Sequence, residues 1–209
     1  MSAQLTALQE DALTEFFNIA IGRAAAMLSQ MIGEGIALSV PVIQLVGVRE
    51  AAEVLGGPDR RLCSVMQTLR GDFSAEAMLV FPENQSLEIV RLLLRDSVPL
   101  QDITEMEQDA LTEVGNIILN ACIGTLTNLL SGDFAIGLPQ FRLGACSEIL
   151  AAGRRADEDC MLMLHIDFRV ERHSITGYVI FMQDLPSLQA LVQSVDRYIA
   201  RHVSDAARP

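Results

Sequence analysis

The sequence predicts an α+β protein, with two helix–three-strand–helix units joined into one continuous, mainly antiparallel sheet flanked by long helices. Three observations carry this expectation. The chain is written twice: residues 11–41 read DALTEFFNIAIGRAAAMLSQMIGEGIALSVP, and residues 109–139 read DALTEVGNIILNACIGTLTNLLSGDFAIGLP, at an offset of 98. Each copy opens on a long apolar segment behind a helix-start signature, and shorter strand-like runs follow. Half of the 209 residues are hydrophobic and a fifth are charged, the balance of a packed chain rather than a disordered one.

The first helix is expected over about 7–32. Thr6 and Gln9 form a Ser/Thr-x-x-Glu/Gln capping box, in which hydroxyl and side chain each satisfy an orphan amide at a helix start. Thr104 and Glu107 repeat it at the same offset and predict a second long helix over about 105–131. Gly33 and Gly132 stand near the two ends as stop signals. The apolar face of the first helix, with Leu13, Phe17, Ala20, Met27 and Met31, is suited to packing on a sheet. Strand-like runs follow at Ile36–Val46, Leu62–Arg70 and Ala75–Phe81, then a helix from about Asn84 to Arg95. In the second copy the runs are Phe134–Ile136, Gln140–Ala145, Cys160–Val170 and Ile175–Met182, with a helix from about Leu185 to His202. Phe81 and Phe181 end equivalent strands, now 100 residues apart. Gly56-Gly57-Pro58-Asp59 and Arg154-Arg155-Ala156-Asp157 read as loops. The repeats span about 5–98 and about 103–203. Either alone would leave open sheet edges, so they are expected to form a single domain with pseudo-two-fold symmetry. That arrangement is already an internal dimer, and the chain is expected to be a monomer.

Composition removes several function classes. There is no lysine, so all 15 basic residues are arginine, and lysine-based chemistry is excluded. A formal charge of −12 disfavours nucleic acid and anionic membranes. Cys63, Cys122, Cys146 and Cys160 are scattered without a C-x-x-C pair, and His165, His173 and His202 lack metal-ligand spacing. Apolar core cysteines in a reducing cytosol are the plain reading, with no metal site. The N-terminus has no basic region of the secretory kind. Asn18, Arg23, Pro41, Gln44, Asn116 and Asn120 interrupt the apolar stretches, so none is expected to span a bilayer. The expected location is cytoplasmic.

The polar exceptions on the two long helices point to function. Asp11, Glu15 and Asn18 sit at i, i+4 and i+7, which at ~100° per residue is one stripe along one face. Small residues Gly22, Ala25 and Ser29 continue it. Asp109, Glu113 and Asn116 repeat the stripe, continued by Asn120 and Thr127. An ordinary solvated helix face would give such a stripe once. Asparagine, however, is a poor mid-helix residue, because its amide competes for backbone groups. Both copies nevertheless keep it three residues after the Glu, while most other positions have diverged. The stripe therefore reads as a surface site present twice.

The pattern D-x3-E-x2-N-x22-P, as Asp11, Glu15, Asn18, Pro41 and again as Asp109, Glu113, Asn116, Pro139, resembles the signature of the CheC/CheX/FliY family of chemotaxis phosphatases. The resemblance covers essentially the whole chain. Two intact sites with only Ser204–Pro209 after the last helix are similar to CheC, since CheX-like members carry one site and dimerise and FliY-like members add a flagellar-switch domain. It implies that the substrate is the phosphoaspartate of a CheY-type response regulator. By motif position, Asn18 and Asn116 would each orient a water for in-line attack, and Glu15 and Glu113 would pair with the regulator's lysine. Magnesium would belong to the regulator, so no cofactor of this chain's own is implied. Asp11 and Asp109 would support the helix starts, where negative charge is favourable, or touch the partner's rim. Pro41 and Pro139 would end the approach to a strand. A CheD-like receptor deamidase is a further partner the resemblance implies. The rival reading is a non-catalytic adaptor that docks a regulator, the flagellar switch or a CheD-like protein.

The chemistry stands beside the resemblance. Acyl-phosphate hydrolysis passes through a loose transition state, so catalysis is largely positioning and charge stabilisation. A neutral amide holds a water without placing negative charge beside the phosphate, as a carboxylate would.

Overall fold

A computed structural model describes residues 5–33, 35–38, 42–94, 104–153, 160–170 and 173–206. The first long helix, α1, runs Ala7–Ile32. Its capping box is formed: the Thr6 amide donates to Gln9 Oε1 at 2.9 Å, and the Gln9 amide donates to Thr6 Oγ1 at 3.3 Å. Gly33 closes it in the left-handed conformation, φ 74°. The second long helix, α4, runs Glu105–Leu130, and the Thr104 amide donates to Glu107 Oε2 at 2.9 Å. Here the left-handed cap is Ser131, φ 54°, not Gly132. Gly132 has another role: a Cβ there would collide with the Phe134 ring.

Each repeat holds more elements than periodicity predicts. The Ile36–Val46 run is two strands, β1 (Ile36–Leu38) and β2 (Val42–Gly47), with Pro41 between them outside the described residues. A short helix, α2 (Val48–Val54), then precedes β3 (Arg61–Gly71), β4 (Ser74–Pro82) and α3 (Glu83–Leu94). The second repeat matches it with β5 (Phe134–Ile136), β6 (Gln140–Ala145), α5 (Cys146–Gly153), β7 (Cys160–Val170), β8 (His173–Gln183) and α6 (Leu185–Ala206). Each half is thus helix, two short strands, short helix, two long strands, helix. At about two turns, α2 and α5 are too short for a helical period to stand out in sequence. The 154–157 segment read as a loop lies outside the described residues.

The eight strands among the described residues form one antiparallel sheet in the order β1-β7-β8-β4-β3-β5, with β2 also on β7 and β6 also on β3. The halves interlock, because the short strands of each repeat pair with a long strand of the other. At the centre, β4 lies against β8 with Leu79 opposite Val179, its counterpart 100 residues on. A pseudo-two-fold axis passes there. The sheet is covered on both faces, so its central strands read as nearly continuous apolar runs rather than a clean alternation. On β3, Cys63, Val65 and Leu69 belong to the larger core under the long helices, whereas Leu62 and Met66 belong to the smaller core under α2 and α5.

In α1, Leu13, Phe17 and Ala20 are buried as expected, but Met27 and Met31 are 50% and 43% exposed. Leu28 and Ile32 are buried in their place. By length and composition α4 could cross a membrane, contrary to the expectation that interruptions prevent it. Its apolar residues instead serve the core, with Leu111, Ile118, Leu119 and Ile123 all at most 2% exposed. Cys63, Cys122 and Cys146 are buried and free. Burial pushes the Cys63 and Cys122 thiols up to about 12.

Candidate functional site

The two predicted stripes lie on the outer sides of α1 and α4, which pack against each other over the sheet. Asp11 and Glu15 are exposed and Asn18 is half-buried; Asp109 and Glu113 are exposed and Asn116 is half-buried. The helix period accounts for this gradation. The carboxylates reach solvent at the middle of the outer face, and each Asn lies at the margin where the helix meets its support. The structure brings Asp, Glu and Asn together on one face twice. The far ends of the stripes are used internally: Ser29 Oγ accepts the Ile36 amide at 2.9 Å, and Thr127 Oγ1 donates to the Ile123 carbonyl at 2.9 Å. Pro139 is half-buried in the segment leading into β6.

The carboxylates of both stripes are exposed. The groove between Leu5, Leu45 and Leu188 and the depression beside Thr68 and Ile136 contain none of the stripe residues. Among the described residues no three His, Cys, Asp or Glu converge in a way that could hold a metal ion. A helix face carrying two exposed carboxylates and an amide suits a macromolecular partner that brings its own concave site.

The surroundings of the two asparagines differ. Asn116 Oδ1 accepts from Gln67 Nε2 at 3.2 Å and from Asn120 Nδ2 at 2.7 Å. Asn18 Oδ1 is buried with no hydrogen-bond partner among the described residues. Sequence reasoning placed Asn120 on the stripe but missed Gln67, which is only 2% exposed. The signal was present as a single amide in the alternating row Cys63, Val65, Gln67, Leu69, where the second repeat reads Leu162, Leu164, Ile166. The helices also approach the sheet differently. A Cβ on Gly115 would lie 2.7 Å from Val65 Cγ2 and closer still to Cγ1, so α4 sits tight on β3. In α1 the matching residue is Phe17, whose ring packs against Phe181 at 5.6 Å.

No known protein-family profile matches the chain. It is 26% identical over 148 residues to the CheY-P phosphatase CheC of Bacillus subtilis (strain 168), covering 69% of this chain and 71% of that protein. In fold it is similar to FliY of Thermotoga maritima, with a TM-score of 0.77 at 17% identity over 94% of this chain and all of that one. It is also similar to the FliM middle domain of H. pylori, with a TM-score of 0.69 at 9% identity over 91% and 99% of the two chains. A third likeness, with a TM-score of 0.53 at 21% identity over 81% and 97%, is to the CheX–CheY–BeF3–Mg2+ complex from Borrelia burgdorferi. In sequence the chain is thus similar to a CheC protein and in fold to FliY, FliM and CheX proteins, likenesses that support the CheC/CheX/FliY family of chemotaxis proteins.

Proposed function

We propose that the protein is a phosphatase acting on the phosphoaspartate of a CheY-type response regulator, with two sites in one chain. The observation that carries the proposal is the Glu-x-x-Asn pair standing twice on an exposed helix face, in a chain similar to a CheY-P phosphatase. In this reading Asn18 and Asn116 enter the regulator's acidic pocket and position the attacking water. Glu15 and Glu113 pair with the regulator's active-site lysine, and Asp11 and Asp109 support the helix starts or meet the partner's rim. Pro41 and Pro139 shape the approach to the following strand.

Magnesium, carried by the regulator, neutralises the phosphoryl oxygens. This chain supplies geometry and an uncharged amide, so its part in the rate is positioning. The repeats at about 5–98 and about 103–203 work as one domain and as a monomer in the cytoplasm, where the regulator resides. A CheD-like deamidase is a second partner in the same reading.

The likeness to a FliM domain favours a second reading, a docking module without turnover, because the same fold does not by itself require hydrolysis. One experiment separates the two. Phosphate release from a phosphorylated CheY-type regulator with magnesium is measured for wild type, Asn18→Ala, Asn116→Ala and the double substitution. Acceleration by wild type, falling to the regulator's own decay in the double variant, supports the phosphatase. Binding of the phosphorylated regulator without acceleration supports the docking module.

A further inference from the structure

The two sites share their Asp, Glu and Asn but not what holds the Asn. At the second site the carbonyl oxygen of Asn116 is turned inward and takes two donors, Gln67 Nε2 from the sheet at 3.2 Å and Asn120 Nδ2 one turn along the helix at 2.7 Å. Two hydrogen bonds on one side-chain atom restrict both of its torsions, and donors on the oxygen polarise the amide, which strengthens its outward N–H groups. At the first site neither donor exists. Gly22 takes the place of Asn120 and Ile166 the place of Gln67, and Asn18 Oδ1 has no partner among the described residues.

Gln67 is not an economical core residue. It is 2% exposed in an otherwise apolar row, and its own Oε1 is buried without a partner among the described residues. A buried half-satisfied amide destabilises relative to an apolar side chain of similar size, which is what the other repeat has there. Among the described residues its one hydrogen bond to another side chain goes to Asn116. The close seating of α4 on β3 at Gly115 brings the helix within reach of that bond, and in the first repeat the bulk of Phe17 fills the matching place.

From this we infer that Gln67 and Asn120 are positioning residues for Asn116, so that the second site presents a pre-set amide while the first must order Asn18 on each encounter. The inference deepens the phosphatase reading and rests on it for its consequence in rate. Ordering a free polar side chain on binding is worth several-fold in rate. The second site is therefore the faster one for each bound regulator.

Two measurements test this. The first does not depend on turnover: 15N relaxation of side-chain amides in the free protein. The Asn116 amide is expected to be more ordered than that of Asn18, and to fall to the Asn18 level in Gln67→Ile or Asn120→Ala. An Asn116 amide no more ordered than Asn18, or unmoved by either substitution, overturns the inference. The second is phosphate release from a phosphorylated CheY-type regulator in an Asn18→Ala background, where only the second site operates. Gln67→Ile and Asn120→Ala are expected to lower kcat about three- to tenfold with KM unchanged. The same substitutions are expected to have no further effect once Asn116 is alanine. A rise in kcat, a change in KM alone, or an equal loss in the Asn116→Ala background overturns the positioning role. Asn120 is exposed, so its variant folds even if the core change at Gln67 perturbs packing. If no variant, wild type included, accelerates decay, the phosphatase reading fails, and the relaxation measurement still decides whether Gln67 and Asn120 position Asn116.

Discussion

Gly115→Ala tests how closely α4 is seated on the sheet. In a helix interior this change ordinarily stabilises by about 0.5–1 kcal/mol, because alanine loses less backbone entropy on folding. Here the added methyl would enter the Val65 side chain, 2.7 Å from Cγ2 and nearer to Cβ and Cγ1. Rotation about χ1 of Val65 gives no relief, since its Cβ is itself in the way, and Val65 is only 3% exposed. Helix and strand must therefore separate, and overpacking of this kind costs about 1–3 kcal/mol. The net expectation is destabilisation by about 1–2 kcal/mol. In urea at neutral pH the midpoint should fall by about 0.5–1 M, taking a slope of about 2 kcal/mol/M. Gly22→Ala in α1 is the matched control: nothing lies within 4 Å of its added Cβ. It should raise stability by about 0.5–1 kcal/mol. Combining Gly115→Ala with Val65→Gly, which removes the obstructing Cβ along with both methyls, should remove the penalty attributable to contact, giving a coupling of at least about 1 kcal/mol. A Gly115→Ala midpoint equal to or above wild type would refute the close-approach argument.

Further expectations follow from the same structure. Thr6→Ala removes the hydroxyl that accepts the Gln9 amide and should cost about 1 kcal/mol in urea unfolding, with Thr6→Ser close to wild type. Burial holds the Cys63 and Cys122 thiols at about 12, against an ordinary 9.0. The unfolded chain ionises first, so stability should be unchanged below about pH 9 and fall as pH rises from there toward 12, read from urea midpoints across that range. The same burial should keep both thiols unreactive toward iodoacetamide at pH 8 until the chain is unfolded, by mass spectrometry of the labelled peptides. In the proposed phosphatase reading, where each Glu meets the regulator's lysine, Glu113→Gln in a Glu15→Gln background should weaken capture of a phosphorylated regulator about tenfold relative to Glu15→Gln alone, measured by titration.

Much of the architecture was legible before any coordinates. The bounds of α1 and α4 follow from Thr6–Gln9 and Thr104–Glu107, since a capping box is a local interaction written in four residues. The long strands follow from apolar runs too short for helices. Duplication exposed the stripe, because a polar residue that persists at one helical spacing in two diverged copies stands apart from drift. Local pattern was weaker where an element is short or its partner distant. α2 and α5 span too few turns to display a period, and Met27 and Met31 lie on the apolar face of α1 but are left exposed where Leu28 and Ile32 are buried.

By itself the sequence determined the repeated units, their helix starts and the Asp-Glu-Asn stripe, because each depends on residues within a turn or two of one another. Only the tertiary structure decided that the repeats exchange their short strands, that Gly115 lets α4 settle on Val65, and that Gln67, 49 residues from Asn116 in the chain, lies beneath that amide and not its twin. Those outcomes depend on which surfaces meet across the sheet, and that is settled by packing between segments far apart in sequence.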